Sequence, residues 1–232
     1  QNKETTKYLK SLGSNKIKSI GNLKFSESKT QKNNNFGNNL EKIFKSKKIW
    51  CATSTHDAEE KICVLAHKKL KNKYSNLLTI IIPRHIQRTN NIINEIKNLN
   101  LKIQTHSTNS KVSKSTEIYL VDTYGETKSF FKICKTVFLG GSLINHGGQN
   151  PLEAARFGCK ILHGPYIQNF TEIYKLLNQN NLSSKFKNVN QLVKLVDQSF
   201  KQNQNYTNKA IKLKKIGTNI LDHTLAEIKY YL

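Results

Sequence analysis

From Lys47 onward the chain alternates short apolar runs with longer segments whose apolar residues recur every three or four positions. Strands are expected at KIWCATST, NLLTIIIP, LKIQTHS, EIYLVD, TVFLGGS and CKILHG, and helices at DAEEKICVLAHKKLKNKY, RTNNIINEIKNLN, TKSFFKIC, NPLEAARFG and TEIYKLLNQ. Upstream, ETTKYLKSLG reads as a short helix and the alternating KIKSIGNLKF as a strand, while SESKTQKNNNFGNN has no period and reads as a linker. Downstream, NQLVKLVDQSF and NKAIKLKKIGTNILDHTLAEIKYYL read as closing helices. The expected divisions are residues 1–25, a polar linker over 26–46, an α/β domain over 47–200 and closing helices over 201–232.

Strands that each feed a helix predict an α/β fold: a Rossmann-like, doubly wound parallel sheet with helices on both faces. Ligands of such sheets bind beyond the carboxyl ends of the strands. The chemistry is therefore expected in STHDAEE, PRHIQR, DTYGET, GGSLINHGGQN and GPYIQNFTE.

Composition narrows the class. The 232 residues are 37% hydrophobic, enough for a proper core, and no apolar run approaches the roughly 20 residues of a membrane span. QNKETTKYLK lacks the apolar centre of a signal peptide. The chain has no Met and starts with Gln, so it is expected to be a piece of something longer. Cys51, Cys63, Cys134 and Cys159 show no C-x-x-C spacing and sit in or beside apolar segments, as buried thiols in a reducing compartment do. The 38 Lys and Arg against 15 Asp and Glu give a net charge of +23. These lysines are scattered through helices, tails and linkers. That favours a solvated basic surface, or a basic face near an anionic membrane, over a nucleic-acid partner.

The loops carry specific possibilities. In GGSLINHGGQN the four glycines are costly to order, and they stand before a helix that starts near Pro151. Bare backbone there admits a phosphate to N–H groups, and Glu153 in the first helical turn is placed to accept from a ribose diol. A tight turn with an ordinary helix start accounts for the same residues. Arg84, with His85 after Pro83, and Arg88 one turn on, offer guanidinium groups for a phosphate; a plain surface arginine is the alternative. Asp122 ends a strand and Gly125 turns the chain toward Glu126; Asp122 as a helix cap is the alternative. His56, Asp57, Glu59 and Glu60 look superficially like a metal set, but His67 lies eleven residues after His56, which is not metalloprotease spacing, so a helix start is favoured. A Cys51–His56 nucleophile pair finds no other support in the chain.

Taken in order, GNLKF, WCATSTHDAEE, PRHIQR, DTYGE, GGSLINHGGQNPLEAA and GPYIQNFTEI resemble the carboxyl-terminal half of the bacterial Kdo transferase family, the 3-deoxy-D-manno-octulosonic acid transferases of lipopolysaccharide synthesis. The likeness runs from about Gly21 to Ile173. It implies the carboxyl-terminal domain of a GT-B glycosyltransferase, with residues 1–25 closing the amino-terminal domain. The implied donor is CMP-Kdo, the acceptor a lipid A precursor, and the location the cytoplasmic face of the inner membrane. It also implies that Arg84, His85, Tyr124, Gly125, Glu126, Asn150, Pro151, Leu152 and Glu153 form the CMP site, and that Lys24 brings a cation to the cleft to stabilise developing charge.

The family's mechanism is inverting and needs neither metal nor cofactor. Its catalytic base is a carboxylate of the amino-terminal half, outside this chain, so the chain alone is expected not to turn over. Two departures stand out. Gln149 replaces the family's usual His, and Ala58 stands where the family has Gly before the paired glutamates. The competing expectations are another GT-B glycosyltransferase or a sugar-nucleotide epimerase and, outside enzymes, a basic nucleic-acid-binding module.

Overall fold

A computed structural model describes residues 3–26, 36, 38–108, 112–202 and 206–231. In chain order its helices are α1 (Lys3–Ser11), α2 (Asn38–Lys45), α3 (Glu59–Lys71), α4 (Thr89–Asn98), α5 (Thr127–Ile133), α6 (Leu152–Arg156), α7 (Thr171–Gln179), α8 (Val189–Lys201) and α9 (Thr207–Tyr231). Its strands are β1 (Lys48–Thr55), β2 (Leu77–Pro83), β3 (Ile103–Thr105), β4 (Ile118–Leu120), β5 (Thr136–Leu139), β6 (Lys160–His163) and β7 (Ser183–Lys185). The chain divides into two compact units, residues 33–206 and residues 1–32 with 207–232.

In the larger unit the seven strands form one sheet in the order β3-β4-β2-β1-β5-β6-β7, every pairing parallel. All seven residues of β2 are buried, as a central strand covered on both faces requires. On one face Trp50, Ala52, Ile81, Phe138 and Leu162 pack with Val64 and Leu70 of α3, Ile92 and Ile96 of α4, and Leu192 and Val196 of α8. On the other, Tyr119 of β4 meets Phe44 of α2 and Phe130 of α5, with ring centroids 5.6 and 6.1 Å away. Each such side chain removed from water contributes about 1.5–3 kcal/mol. Helix α3 suits its polarity: Glu59 and Glu60 occupy its first turn and Lys68, Lys69 and Lys71 its last, each sign against the opposing end of the helix dipole.

In the smaller unit α9 passes the 3-10 turn Leu23–Phe25. Gly217 permits that crossing, because a Cβ there would stand 1.9 Å from the Phe25 carbonyl oxygen. Lys18 pairs with Glu227.

Two expectations need correction, and one strand was not expected. KIKSIGNLKF forms no strand; within it lies only the turn Leu23–Phe25, where the Asn22 side chain accepts from the Lys24 N–H, a local bond that competes with extended pairing. Part of the expected linker is helical, since Leu40, Ile43 and Phe44 fall on one face of α2 and Phe44 is buried. The polar edge strand β7 has no apolar alternation and went unforeseen. Residues 27–35 and 37 of the expected linker, and 203–205 and 232 of the expected closing helices, lie outside the described residues.

Candidate functional site

The strand order fixes where a ligand can enter. From β1 the chain crosses to β2 on one side, whereas from β5 it crosses to β6 on the other, so the loops after the neighbouring strands β1 and β5 diverge and leave a crevice at their carboxyl ends. The loops after β2 and β4 flank it.

The residue that organises this edge is Glu59, which is fully buried. One carboxylate oxygen accepts from the N–H groups of His56 at 2.9 Å and Gly141 at 2.7 Å; the other accepts from Leu143 at 2.9 Å and Ser142 at 3.2 Å. Burial raises its pKa, and these four backbone donors pull the other way. Gly140 is required because a Cβ there would lie 2.3 Å from the Ser54 carbonyl oxygen and 2.7 Å from the Glu59 carboxylate. The bare backbone at the start of GGSLINHGGQN thus receives the protein's own carboxylate. The N–H groups expected to meet a phosphate are those at the other end of this loop, before α6. At the far end the Gly148 N–H returns to the Gly141 carbonyl at 2.8 Å, and a Cβ on Gly147 would strike the Asn169 side chain at 2.3 Å. Helix α6, which follows, has five residues.

The two arginines have different fates. Arg88 grips the buried Glu60 with both terminal nitrogens, at 2.9 and 3.2 Å, and reaches Asp57 at 2.8 Å. It is spent internally. Arg84 is exposed, its backbone N–H donates to the Thr55 carbonyl at 2.9 Å, and among the described residues its guanidinium has no acidic partner.

The remaining expected residues spread along the same edge. His85 is exposed beside Arg84. Tyr124 is 66% exposed, Gly125 turns at φ +87° into open space, and the half-buried Glu126 immediately precedes α5. Asp122 caps no helix; it accepts from the backbone and hydroxyl of Ser107, tying the loop after β4 to the end of β3. The Asn150 side chain accepts from the Leu152 N–H at 3.1 Å, Pro151 and Leu152 are buried, and Glu153 lies 3.5 Å from the Lys128 ammonium. Lys24 stands exposed in the smaller unit.

Residue-by-residue reading missed a convergence of imidazoles. His56, His85 and His146, from the loops after β1, β2 and β5, come together: the ring of His56 lies 4.4 Å from that of His146 and 5.7 Å from that of His85. The Nε2 of His56 is buried without a hydrogen-bond partner. Burial first, then His146, His85, Arg84 and Arg88, lowers the His56 pKa to about 4, so the ring is neutral at neutral pH. The available signal was one histidine in each of three strand-to-helix loops. Among the described residues no group of three or more His, Cys, Asp or Glu is arranged to hold a metal ion, and no helix is long and apolar enough to cross a membrane.

No protein-family model matches the chain. Over 226 residues it is 32% identical to the 3-deoxy-D-manno-octulosonic acid transferase of Rickettsia typhi, covering 95% of this chain and 49% of that protein. Over 129 residues it is 38% identical to the enzyme of the same name from Haemophilus influenzae, covering 56% of this chain and 30% of that protein. The crystal structure of the C-terminal CMP-Kdo binding domain of WaaA from Acinetobacter baumannii superposes with a TM-score of 0.67 at 24% identity, covering 78% of this chain and 93% of that domain. The architecture is that of the carboxyl-terminal domain of GT-B glycosyltransferases. The chain spans about half the length of the Rickettsia relative and about a third of the Haemophilus one.

Proposed function

We propose, from the homology of this chain to the carboxyl-terminal half of the Kdo transferases, that its larger unit is the CMP-Kdo-binding domain of an inverting glycosyltransferase that moves Kdo onto a lipid A precursor. The observation that carries the proposal is the 32% identity to a named Kdo transferase along 95% of the chain. The site chemistry supports it: the crevice at the strand switch holds an arginine without an acidic partner, and the adjacent loops bring hydroxyl-accepting carboxylates to the same edge.

In this reading Arg84 neutralises the CMP phosphate, with His85 beside it. Tyr124, Gly125 and Glu126 frame the nucleotide, and Asn150, Pro151, Leu152 and Glu153 close the site from the loop after β5, Glu153 on the ribose diol. The acceptor hydroxyl, deprotonated by a carboxylate of the amino-terminal half, attacks the anomeric carbon as CMP departs. The role of this chain is to stabilise the charge that grows on the leaving group, the kind of electrostatic contribution that dominates many active sites. The basic surface, +23 overall, suits work beside the anionic cytoplasmic face of the inner membrane.

Calorimetric titration of the chain with CMP, UMP, UDP and RNA tests the reading. CMP is expected to bind best, and Arg84→Ala to weaken it by about 2–4 kcal/mol, roughly 30- to 1000-fold. Unchanged CMP affinity in that variant, or no preference over UMP, refutes it. Glu153→Gln should weaken CMP and leave 2′,3′-dideoxy-CMP nearly unaffected; an equal loss for both would confine Glu153 to its pairing with Lys128.

A further inference from the structure

We infer that the His56–His85–His146 cluster is the seat of the donor sugar's carboxylate, an inference that rests on the CMP-Kdo reading above. The donor of that reading is a nucleotide-linked ulosonic acid and carries two anions close together, the phosphate of CMP and the carboxylate of the sugar. It therefore calls for two anion-recognising groups side by side. The crevice offers two. Arg84 is the charged one, and the imidazoles beside it are the other.

The surroundings argue that the imidazoles serve a ligand and not the fold. The nearby acids are already committed: Glu59 is turned onto four backbone N–H groups, while Asp57 and Glu60 are held by Arg88. Among the described residues no carboxylate forms an ion pair with the imidazole of any of the three histidines. The rings of His56 and His146 meet over Gly141, whose missing side chain leaves the space: a Cβ there would lie 3.1 Å from the His146 ring, 3.3 Å from His56 Nε2 and 3.3 Å from Gln149 Nε2. The Nε2 atoms of His56 and Gln149 thus approach one point on the floor of the crevice, with the edge of the His146 ring beside them. The buried, unpartnered His56 Nε2 lacks a hydrogen-bond partner that a ligand oxygen supplies.

A carboxylate fits this seat better than a second phosphate does. Its two coplanar oxygens accept from two imidazole N–H groups at once, and the low pKa of His56 keeps that ring a neutral donor, sparing the crevice a further cation beside Arg84. The cluster then separates an acidic sugar from a neutral one, and a sugar-bearing donor from the bare nucleotide.

The experiment compares CMP-Kdo with CMP on the 232-residue chain by calorimetry, for wild type, His56→Gln and His146→Gln. Wild type should bind CMP-Kdo more tightly than CMP, and each variant should lose about tenfold or more on CMP-Kdo while CMP stays within about twofold. Proton NMR of the wild-type imidazoles gives a readout independent of variant folding: CMP-Kdo should raise the apparent pKa of His56 and CMP should not. Equal losses for both ligands would move the histidines to the phosphate and overturn the inference, as would wild-type affinity no better for CMP-Kdo than for CMP. A wild-type chain that fails to bind CMP at all would instead bring down the CMP-Kdo reading on which the inference rests.

Discussion

The two edges of the parallel sheet both contain residues with positive φ, but of different kinds. On the amino edge they sit where helices hand over to strands: Asn100 after α4, Gly158 after α6 and Asn181 after α7. Asn and Gly tolerate this geometry, and the hydrogen bonds match a standard helix stop. After α7 the Asn181 N–H reaches the Asn178 carbonyl and the Leu182 N–H the Leu177 carbonyl; after α6 the Gly158 and Cys159 N–H groups reach Ala155 and Ala154 in the same pattern. On the carboxyl edge the positive-φ residues include Ser54, at the bulge that ends β1, and Ala58, just before α3, with φ of 54° and 66°. Neither type favours that region. The same edge holds a buried carboxylate and an unpartnered imidazole nitrogen. One edge is built for stability, and the other carries strain and incomplete bonding where a ligand is proposed to sit.

The sharpest way to break this contrast is to remove the group that holds the strained edge together. Glu59→Ala leaves four backbone N–H groups without their acceptor, three of them on a loop more than eighty residues away in sequence. At about 1–3 kcal/mol for each buried donor left unsatisfied, less what water regains, a loss of about 4–5 kcal/mol is expected in the urea midpoint. Glu59→Gln keeps one acceptor oxygen but turns an amide toward donors, and should fall between. A loss under about 1 kcal/mol would mean that the loop holds its shape unaided.

Two histidines sharpen the contrast through pH. His67, on α3 and wholly buried, accepts or donates at Nδ1 with the Thr79 hydroxyl at 2.9 Å, and burial, then Lys71 and Lys47, brings its pKa from 6.5 down to about 4. His56 is lowered to about 4 as well, but in the crevice. In both, the unfolded chain takes up protons first, so stability is complete above about pH 6.5 and is lost as the pH falls from there toward 4. His67 accounts for about 2–3 kcal/mol of that loss, and His67→Asn, which retains a partner for Thr79, should flatten the curve by this amount. CMP-Kdo should alter the His56 contribution alone. A pH profile unchanged by His67→Asn would place the acid sensitivity elsewhere.

The α/β order was legible because the central strands are short, mostly apolar runs and each covering helix has a wet face. β7 was not, since Ser183–Lys185 at the sheet's edge needs no apolar face on both sides. The loops that meet at the switch point were legible as well, through their glycines and their position after strands. What each residue does within them was not. Glu59 reads locally as the opening of a helix, and its partners at 141–143 become visible only once β5 lies beside β1. Arg84 and Arg88 look equivalent in PRHIQR, yet one turn of 3-10 helix aims Arg88 back at Glu60 and leaves Arg84 outside. Contacts of this kind depend on topology, and a single sequence gives no period or spacing from which to read them.

The smallest effect is the most direct test of the strain itself. Ala58 occupies a position where the resembling family has Gly, and at φ +66° its Cβ incurs a penalty of about 1–2 kcal/mol that a glycine avoids. Ala58 is exposed and makes no side-chain capping bond, so Ala58→Gly removes no packing and no polar contact. Against the relief stands the greater freedom of glycine in the unfolded chain, about 0.4–1 kcal/mol. The balance is a net gain of roughly 0.5–1 kcal/mol, visible as a higher urea midpoint with unchanged slope. Asn100→Gly is the matched control on the amino edge. Asn already tolerates positive φ, so there the entropic term prevails and stability should stay level or drop by a few tenths of a kcal/mol. Opposite signs for the two substitutions would locate the strain at the carboxyl edge; a gain of equal size at both would show that the edges are alike and that the contrast drawn from their left-handed residues is mistaken.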